Sequence, residues 1–320
     1  MNLLVTGSNG FIGGYICERL KKEHKVIGIG RKKESRIPDI EYLKEDITSD
    51  FFVDNAKSKL NKVDVIIHAA ACISKNDFEH DLIHTNCRGT LNIVELAKEL
   101  KAHKIIHLSS LPVIGKPLIL PIREDHPTSP ITLYHTTKLA AEHIINLSSK
   151  YGVNSINLRI TSPIGIGMNE NTILAIFLKN SLNNSPIYVY GKGQRKQNYI
   201  DVRDIAEAIA LILDYNVEGI FNIGSASSIS NLDLAYLCKD VTDSKSEIVL
   251  NSKEDPEEDF CWDVSCEKAQ KAFNFIPQYT LQESIIQISN HLKLTSKKNW
   301  KIKMFRFRTR HIFTNVQNRI

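Results

Sequence analysis

The chain has 320 residues, of which 42% are hydrophobic and 24% charged, as expected for a globular protein with one large α/β domain or two smaller lobes. Its first residues include no basic segment, and no run of about 18 apolar residues occurs anywhere, so we expect a cytoplasmic protein without a signal peptide or membrane span. The net charge of +5 comes from the C-terminal tail, since residues 297–320 carry eight Lys and Arg and no acid. Residues 1–296 have a net charge of −3, which argues against a nucleic-acid partner.

Short apolar runs and longer amphipathic segments alternate through the first half of the chain, which is typical of β-α-β units. The predicted strands are 3–5, 26–29, 63–67, 105–108 and 155–158. The predicted helices are about 10–22, 81–100 and 133–150. In the second helix, Leu91, Val94 and Leu100 are placed near one face.

A glycine-rich loop, Thr6-Gly7-Ser8-Asn9-Gly10-Phe11-Ile12-Gly13, follows the first predicted strand and opens the first helix. Its glycines permit a tight turn, close approach of the backbone to a pyrophosphate, and close packing of helix on strand. The helix N-terminus also offers free N–H groups and partial positive charge to phosphates. We therefore predict a doubly wound parallel sheet, the Rossmann fold, with a dinucleotide bound by Gly7, Asn9, Gly10, Phe11, Ile12 and Gly13.

The end of the second predicted strand bears on the choice of cofactor. It reads Gly30-Arg31-Lys32-Lys33, without the acid that would bind the ribose 2′-hydroxyl of NAD. Arg31, supported by a neighbouring lysine, can pair with a 2′-phosphate, although a solvated basic loop is the alternative. NADP(H) is therefore the expected cofactor, with NAD as the second choice.

Tyr134 and Lys138 lie four residues apart at the start of a predicted helix, and hence on one face. A neighbouring ammonium lowers the pKa of a tyrosine and suits it to proton transfer. Ser110, at the end of a predicted strand, is placed to hydrogen-bond a reacting oxygen. Taken alone, a tyrosine and a lysine at this spacing are usually just one face of a helix, so the prediction of Tyr134, Lys138 and Ser110 as catalytic depends on the family resemblance given below.

After Pro163 the alternation loosens, and residues 164–167 form a turn-rich break. The expected organisation is a dinucleotide-binding domain over 1–163, to which 199–223 returns, followed by a smaller substrate lobe, mainly 164–296, and the basic tail 297–320.

Together these motifs resemble the extended short-chain dehydrogenase/reductase family, in its NAD-dependent epimerase/dehydratase branch that modifies nucleotide sugars. The resemblance spans nearly all of residues 1–295. It rests on Thr6 to Gly13, Glu45-Asp46-Ile47, His68-Ala69-Ala70-Ala71, Asn86 to Thr90, Ser109-Ser110, Tyr134 to Lys138, Leu158-Arg159 followed by Pro163, and Tyr199 to Asp204.

The resemblance implies roles for the matched positions. Asp46 would contact the adenine with Ile47 in the same site, Ala69 and Ala70 would line the cofactor path, and Pro163 would lie against the nicotinamide. Lys138 would bind the nicotinamide ribose and lower the pKa of Tyr134. The predicted substrate contacts are Ser74, Ser110, Ser162, which stands where the family often has Asn, and Arg195, from a shifted loop; no metal ligand is expected. His68 and Asn86 are interpreted as structural.

Departures from the family pattern limit which reactions are expected of this chain. Leu111 and Pro112 occupy the positions of the Asp-Glu pair that sugar dehydratases use to eliminate water, and the loop lacks the cysteine of the GDP-fucose-forming enzymes. Gln197 stands where many UDP-sugar members have an arginine for the diphosphate, with Arg195 two residues earlier. An acidic run, 255–259, stands where a second such arginine is usual.

The leading hypothesis is an NAD(P)H-dependent reductase of a nucleotide-activated 4-keto-6-deoxyhexose, acting in polysaccharide (O-antigen, lipopolysaccharide) precursor synthesis. The alternative is a UDP-hexose 4-epimerase that keeps its NAD. A third hypothesis, from another class, is a non-catalytic dinucleotide-binding protein.

Two further expectations concern partners. Family resemblance implies a homodimer. The tail combines cations with Trp300, Phe305 and Phe307, and we interpret it as a solvated terminus, with contact to an anionic membrane surface or a partner protein as the alternative.

Overall fold

The computed structural model describes residues 1–74, 76 and 78–295. Its strands are β1 (Asn2–Thr6), β2 (Lys25–Gly30), β3 (Glu41–Lys44), β4 (Val65–His68), β5 (Lys104–Ser110), β6 (Asn154–Ile160), β7 (Ser162–Ile164), β8 (Ile187–Tyr190), β9 (Lys196–Asp201), β10 (Gly219–Ile223), β11 (Ser228–Ser230) and β12 (Ile248–Asn251). Its α-helices are α1 (Phe11–Leu20), α2 (Phe52–Lys59), α3 (Asp81–Ile83), α4 (Gly89–Leu100), α5 (Leu133–Asn146), α6 (Ile173–Leu182), α7 (Val202–Leu213), α8 (Asn231–Thr242), α9 (Glu267–Phe273) and α10 (281–295).

A seven-stranded sheet in the order β10-β6-β5-β4-β1-β2-β3 forms the centre of the molecule. Every neighbouring pair in it is parallel, and the strands are apolar because helices cover both faces. The order reverses between β1 and β4, which is the switch point of a doubly wound sheet, where ligands bind beyond the carboxyl ends of the strands. The predicted Rossmann fold is therefore confirmed.

The helix predicted over 81–100 is divided in the structure. A π-helical turn, His84–Arg88, separates α3 from α4. The placement of Leu91, Val94 and Leu100 near one face was wrong: the Leu91 side chain is 50% exposed, whereas Val94 is buried. Nine residues separate Leu91 from Leu100, which places them on opposite sides of a helix of about 3.6 residues per turn.

The other predicted elements differ mainly at their ends. The helix predicted over 133–150 ends at Asn146 and continues as a 3₁₀ helix, Leu147–Tyr151. The sequence analysis did not foresee β3 or α2. The strand β3 is short and half-exposed, and the helix α2 buries only two side chains, so neither carries a strong apolar pattern.

A second apolar core lies in the C-terminal part of the chain. It is built mainly from α6, α8, β8 and α10, with residues such as Leu178, Leu234 and Ile285 fully buried. A three-stranded sheet, β11-β9-β7, and a two-stranded sheet, β12-β8, accompany it. The strand β10 joins the central sheet and α7 packs against α1. The division into two lobes at the predicted boundaries stays a proposal.

A buried ion pair fastens α5 to the central sheet. Glu142 on α5 receives two hydrogen bonds from the guanidinium of Arg159 on β6, at 3.1 and 2.9 Å, and both side chains are 3% exposed or less. The same carboxylate accepts a hydrogen bond from Ser109 on β5 at 2.5 Å. Each charge is thus fully partnered, as burial requires.

The sequence predicts no membrane span and a basic C-terminal tail. Within the described residues, no helix is long and apolar enough to cross a membrane. The basic tail, 297–320, lies outside the described residues.

Removing one partner of the buried ion pair between Glu142 and Arg159 should destabilise the fold. Glu142→Gln leaves the Arg159 guanidinium buried without a countercharge, so we expect the free energy of unfolding to fall by on the order of 3 kcal/mol. Denaturant titration measures it. The control is Glu99→Gln at the exposed pair with Lys57, where solvent screens the interaction and little change is expected. Similar losses in both variants would contradict the account.

Candidate active site

The turn between β1 and α1 brings backbone against backbone. Gly7 has φ +66°, and a Cβ there would lie 2.8 Å from the backbone of Ala70. A Cβ on Gly13 would lie only 2.2 Å from the carbonyl oxygen of Gly7. Neither position has room for a side chain, so the first turn of α1 packs directly on the end of the sheet and its N–H groups face outward.

A cavity of about 300 Å³ opens beyond the carboxyl ends of β1, β2 and β4. Eight of the predicted cofactor residues line it: Gly7, Asn9, Gly10, Arg31, Asp46, Ile47, Ala69 and Ala70. Six further lining residues were not in the predicted cofactor set, although Lys32 was one of the two lysines expected to support Arg31: Ile29, Gly30, Lys32, Glu45, Ala71 and Thr85. Most of them are next to predicted cofactor residues in the sequence. Because the loops at strand ends line such a cavity together, this adjacency is the signal that could have identified them.

Other predicted cofactor residues lie outside the lining of this cavity. Phe11 packs its ring near Gly165, and Ile12 packs against the core. Pro163 is half-buried in β7 beside Ile200 of β9.

The basic loop after β2 is folded onto the glycine-rich turn. Asn9 donates to the carbonyl of Glu34 at 2.9 Å and accepts from the backbone N–H of Arg36 at 2.6 Å. The phenol of Tyr42 donates to the carbonyl of Lys32 at 3.1 Å. These bonds hold the loop at the cavity edge, where Arg31 is exposed.

Asp46 forms a local turn at the far side of the cavity. One carboxylate oxygen accepts from the backbone N–H and the hydroxyl of Thr48, at 3.0 and 2.8 Å. Asn92 donates to the carbonyl of Ile47 at 2.7 Å. These contacts fix the wall formed by Asp46 and Ile47.

The three predicted catalytic residues lie on neighbouring elements. Ser110 ends β5, and Tyr134 and Lys138 lie in the first turns of α5, which packs along β5. The hydroxyl of Thr132 caps α5 by accepting from the backbone N–H of His135 at 3.2 Å. Burial raises the pKa of Tyr134 to about 12, and the nearby Cys72 adds to this shift.

Lys138 has a protein partner that was not predicted from the sequence. Its ammonium donates to Nε2 of His107 at 2.8 Å, and burial lowers the pKa of Lys138 to about 7. The expected lowering of the Tyr134 pKa by Lys138 stays a prediction, and in this structure that pKa is raised instead. The physical reason is that burial acts on both groups, disfavouring the phenolate of Tyr134 and the ammonium of Lys138 alike.

Asn86 ties the segment after β4 to α5. Its amide bonds both the N–H and the carbonyl of Cys72, at 2.8 and 3.0 Å, and donates to Thr137 at 3.0 Å. These contacts agree with the interpretation of Asn86 as structural. They also hold the Cys72 segment close to Tyr134, and two residues further on the hydroxyl of Ser74 accepts from the backbone of Asn76 at 3.0 Å.

Two predicted substrate residues lie in the C-terminal half. Ser162 is in β7, paired with Tyr199. Arg195 donates to Asp255 at 3.3 Å and to Glu257 at 2.7 Å, so the acidic run noted in the sequence neutralises this guanidinium. As a contact for a diphosphate, Arg195 stays a prediction, and it would have to exchange this internal ion pair.

The loop after Ser110 carries apolar side chains into a small core. Leu111 is fully buried in a cluster with Val113, Phe260 and Trp262. The position where dehydratases place an acidic residue is therefore part of the packing.

The comparison with known proteins agrees with this geometry. The sequence profile described as the NAD dependent epimerase/dehydratase family matches residues 3–224. A putative UDP-glucose 4-epimerase of Methanocaldococcus jannaschii is 28% identical over 91% of this chain and 98% of its own. A UDP-glucuronic acid decarboxylase of Arabidopsis thaliana is 26% identical over 89% of this chain and 68% of its own.

A solved structure shows the same fold. The UDP-glucuronic acid 4-epimerase of Bacillus cereus, crystallised with UDP-glucuronic acid and NAD, superposes with a TM-score of 0.81. The match covers 92% of this chain and all of the other at 21% identity.

The two adjacent glycines of α1 offer a test of the turn. Gly13→Ala should lower the free energy of unfolding by about 2 kcal/mol and weaken dinucleotide binding at least tenfold, because its Cβ overlaps the Gly7 carbonyl. Gly14→Ala is the matched control, since a Cβ there has room and alanine favours the helix by roughly 0.5–1 kcal/mol. Thermal unfolding and NAD(H) fluorescence titration measure both; equal behaviour of the two variants would refute the close-packing argument.

Proposed function

The chain belongs to the NAD-dependent epimerase/dehydratase family, and on that premise we propose that it is a nucleotide-sugar 4-epimerase acting on a UDP-hexose. Membership makes it an enzyme of the NAD-dependent epimerase or oxidoreductase type. The observation that carries the proposal is the placement of Ser110, Tyr134 and Lys138 on adjoining elements at the carboxyl edge of the sheet, the edge that also holds the glycine-lined cavity.

The cavity fits a nicotinamide dinucleotide. Gly7 and Gly10 of the turn line it, and a Cβ on Gly7 or on Gly13 behind them would occupy the space needed for close backbone packing. The N-terminus of α1 directs N–H groups and partial positive charge to the place where a pyrophosphate would bind. A cofactor held there supplies the reversible removal and return of hydrogen at a sugar carbon.

The side chains of this chain supply the proton chemistry. Tyr134 takes the proton of the C4 hydroxyl on its phenolic oxygen and returns it, while Ser110 donates a hydrogen bond to the same sugar oxygen. With a pKa of about 12, Tyr134 holds its proton at neutral pH, which suits the returning step. For the removing step that pKa must fall; no lowering by Lys138 is present in this structure, so the proposal requires that Lys138, one turn along α5, lowers it in the complex with cofactor and sugar.

The proposal departs from the leading hypothesis of the sequence analysis. The named relatives are a UDP-sugar 4-epimerase and a UDP-glucuronic acid decarboxylase, and the superposed structure is a 4-epimerase; none is a 4-keto-6-deoxyhexose reductase. The buried position of Leu111 supports the inference that dehydration is not the reaction.

Reduction of a 4-keto sugar stays as a second candidate because of one observation. Arg31 and Lys32 line the cavity, and β2 ends at Gly30 without an acid. Cations there suit a 2′-phosphate, and NADP(H) suits net reduction. The preference for NADP over NAD is therefore part of this second candidate.

A panel of substrates tests the first candidate. The full-length protein, with no added cofactor, is incubated separately with UDP-glucose, UDP-N-acetylglucosamine and UDP-glucuronic acid, and the products are separated by chromatography. We expect the C4 epimer of at least one sugar. Release of CO₂ from UDP-glucuronic acid would point to decarboxylation instead, and consumption of NADPH with a nucleotide-linked 4-keto-6-deoxyhexose would favour the second candidate.

Tyr134→Phe removes the group that carries the proton. Turnover should fall roughly 10³-fold, within the range typical of a lost general acid–base, while affinity for the dinucleotide stays within about threefold. Product formation and fluorescence titration measure the two quantities. Retained turnover would remove Tyr134 from the mechanism.

Arg31→Ala tests the cofactor preference. If Arg31 pairs with a 2′-phosphate, its loss should weaken NADP⁺ binding by about 10- to 100-fold and leave NAD⁺ binding nearly unchanged, because only NADP⁺ loses a charge-assisted hydrogen bond. Lys33→Ala is the matched control, since Lys33 is equally exposed but does not line the cavity. Equal effects on both dinucleotides would refute the assignment.

A further inference from the structure

A chain of hydrogen-bonded polar side chains begins and ends on α5 and crosses β5 and β6. Lys138 on α5 meets His107 on β5 at 2.8 Å, His107 meets Asn157 on β6 at 2.8 Å, and Asn157 meets Asn146, the last residue of α5, at 2.9 Å. Lys138 is 3% exposed, while His107 and Asn157 are fully buried.

With Lys138 in its charged form, the donors and acceptors in this chain have one consistent assignment, because an ammonium can only donate. The amide nitrogen of Asn157 donates to Asn146, so the amide oxygen of Asn157 faces His107 and accepts from Nδ1–H. The imidazole is then neutral with Nε2 unprotonated, and Nε2 accepts from the ammonium of Lys138. Burial and the nearby Lys138 hold the pKa of His107 well below its usual range, in agreement with the neutral ring.

A second imidazole lies against the first. His68 on β4 stacks on His107 with ring centroids 5.6 Å apart. Its Nδ1 bonds the hydroxyl of Thr6 at 2.8 Å and its Nε2 bonds that of Thr90 at 3.0 Å. Because both of its nitrogens are occupied and the ring is buried, His68 confines the plane of His107 without touching Lys138.

We propose that His107 is the positioning residue of Lys138: its Nε2, aimed by Asn157, holds the ammonium at a fixed place and stabilises its charge. An ammonium has three N–H donors, so the bond to His107 leaves two for the hydroxyl groups of a ribose. The inference rests on the proposed function for its catalytic meaning, but the contact itself is tested without any reaction.

Other groups also face Lys138. Glu142 lies one turn further along α5 and Cys87 lies in the π-helical turn; both favour the charged form, whereas burial opposes it. Tyr134 lies one turn before. Within the described residues, none of these three accepts a hydrogen bond from Lys138 as His107 does at 2.8 Å. Removing His107 should therefore take away the direct contact that stabilises the ammonium, and burial should lower the pKa of Lys138 further.

The titration of Lys138 measures the contact directly. The full-length protein is prepared with ¹³Cε-lysine, the Lys138 signal is assigned by its loss in Lys138→Met, and its chemical shift is followed against pH. We expect a midpoint near pH 7 in the parent protein, from the lowered pKa of about 7. In His107→Phe, which keeps the ring volume and removes the acceptor, the midpoint should fall by about one pH unit or more.

Two further variants separate positioning from packing. His107→Gln restores an acceptor at about the position of Nε2 and should return the midpoint to near the parent value. His68→Phe alters an equally buried histidine that does not touch Lys138, and should leave the midpoint within about 0.3 units. An unchanged midpoint in His107→Phe, no recovery in His107→Gln, or an equal fall in His68→Phe would each overturn the proposal.

Asn157→Ala covers the case in which His107→Phe does not fold. It keeps the imidazole but removes the acceptor that sets its tautomer, so the Lys138 midpoint should fall by a smaller amount, and no fall would again contradict the proposal. Failure of the parent protein to convert any UDP-sugar would overturn the proposed function and leave this titration unaffected, so the two failures are distinguishable.

Discussion

The ion pair between Glu142 and Arg159 sets the position of α5, and most of the candidate site depends on that helix. The pair is buried, and Ser109 completes its hydrogen bonding, so α5 cannot slide without exposing or unpairing a charge. Tyr134, Lys138 and Glu142 follow one another at intervals of four residues along one face of α5. Across from them, residues 107 and 109 of β5 alternate toward the same face of the sheet. Structural and chemical side chains therefore share a single helix–strand interface.

The other half of the site depends on steric exclusion. At Gly7 and Gly13 the absence of a side chain allows α1 to approach the sheet, and the freed helix end faces the cavity. Nearby, Asn9 and Tyr42 fold the basic loop over that end, which gives Arg31 its place at the cavity edge. One edge of the sheet thus combines a tightly packed glycine turn with exposed cationic side chains at the edge of the same cavity.

The features that sequence reasoning predicted are those with a local cause. The glycine spacing at Gly7 and Gly13, the apolar strands and the interval from Tyr134 to Lys138 each follow from backbone geometry within a few residues. The contact between Lys138 and His107 was not predicted, because the two residues are 31 positions apart in the sequence and only the packing of α5 on β5 brings them together. For the same reason the pairing of Arg195 with the acidic run near Asp255 could not be read from either segment alone. Leu91 was placed wrongly because it was grouped with Val94 and Leu100 by its apolar character and not by its angular position around the helix.

The central claim is that hydrogen is removed from C4 of a UDP-hexose and returned to the same carbon within one site. The most direct measurement uses UDP-galactose carrying deuterium at C4, incubated with the full-length protein in ordinary water, and mass spectrometry of the product. The account predicts UDP-glucose that retains the deuterium. UDP-glucose that has lost its deuterium to the solvent would contradict it.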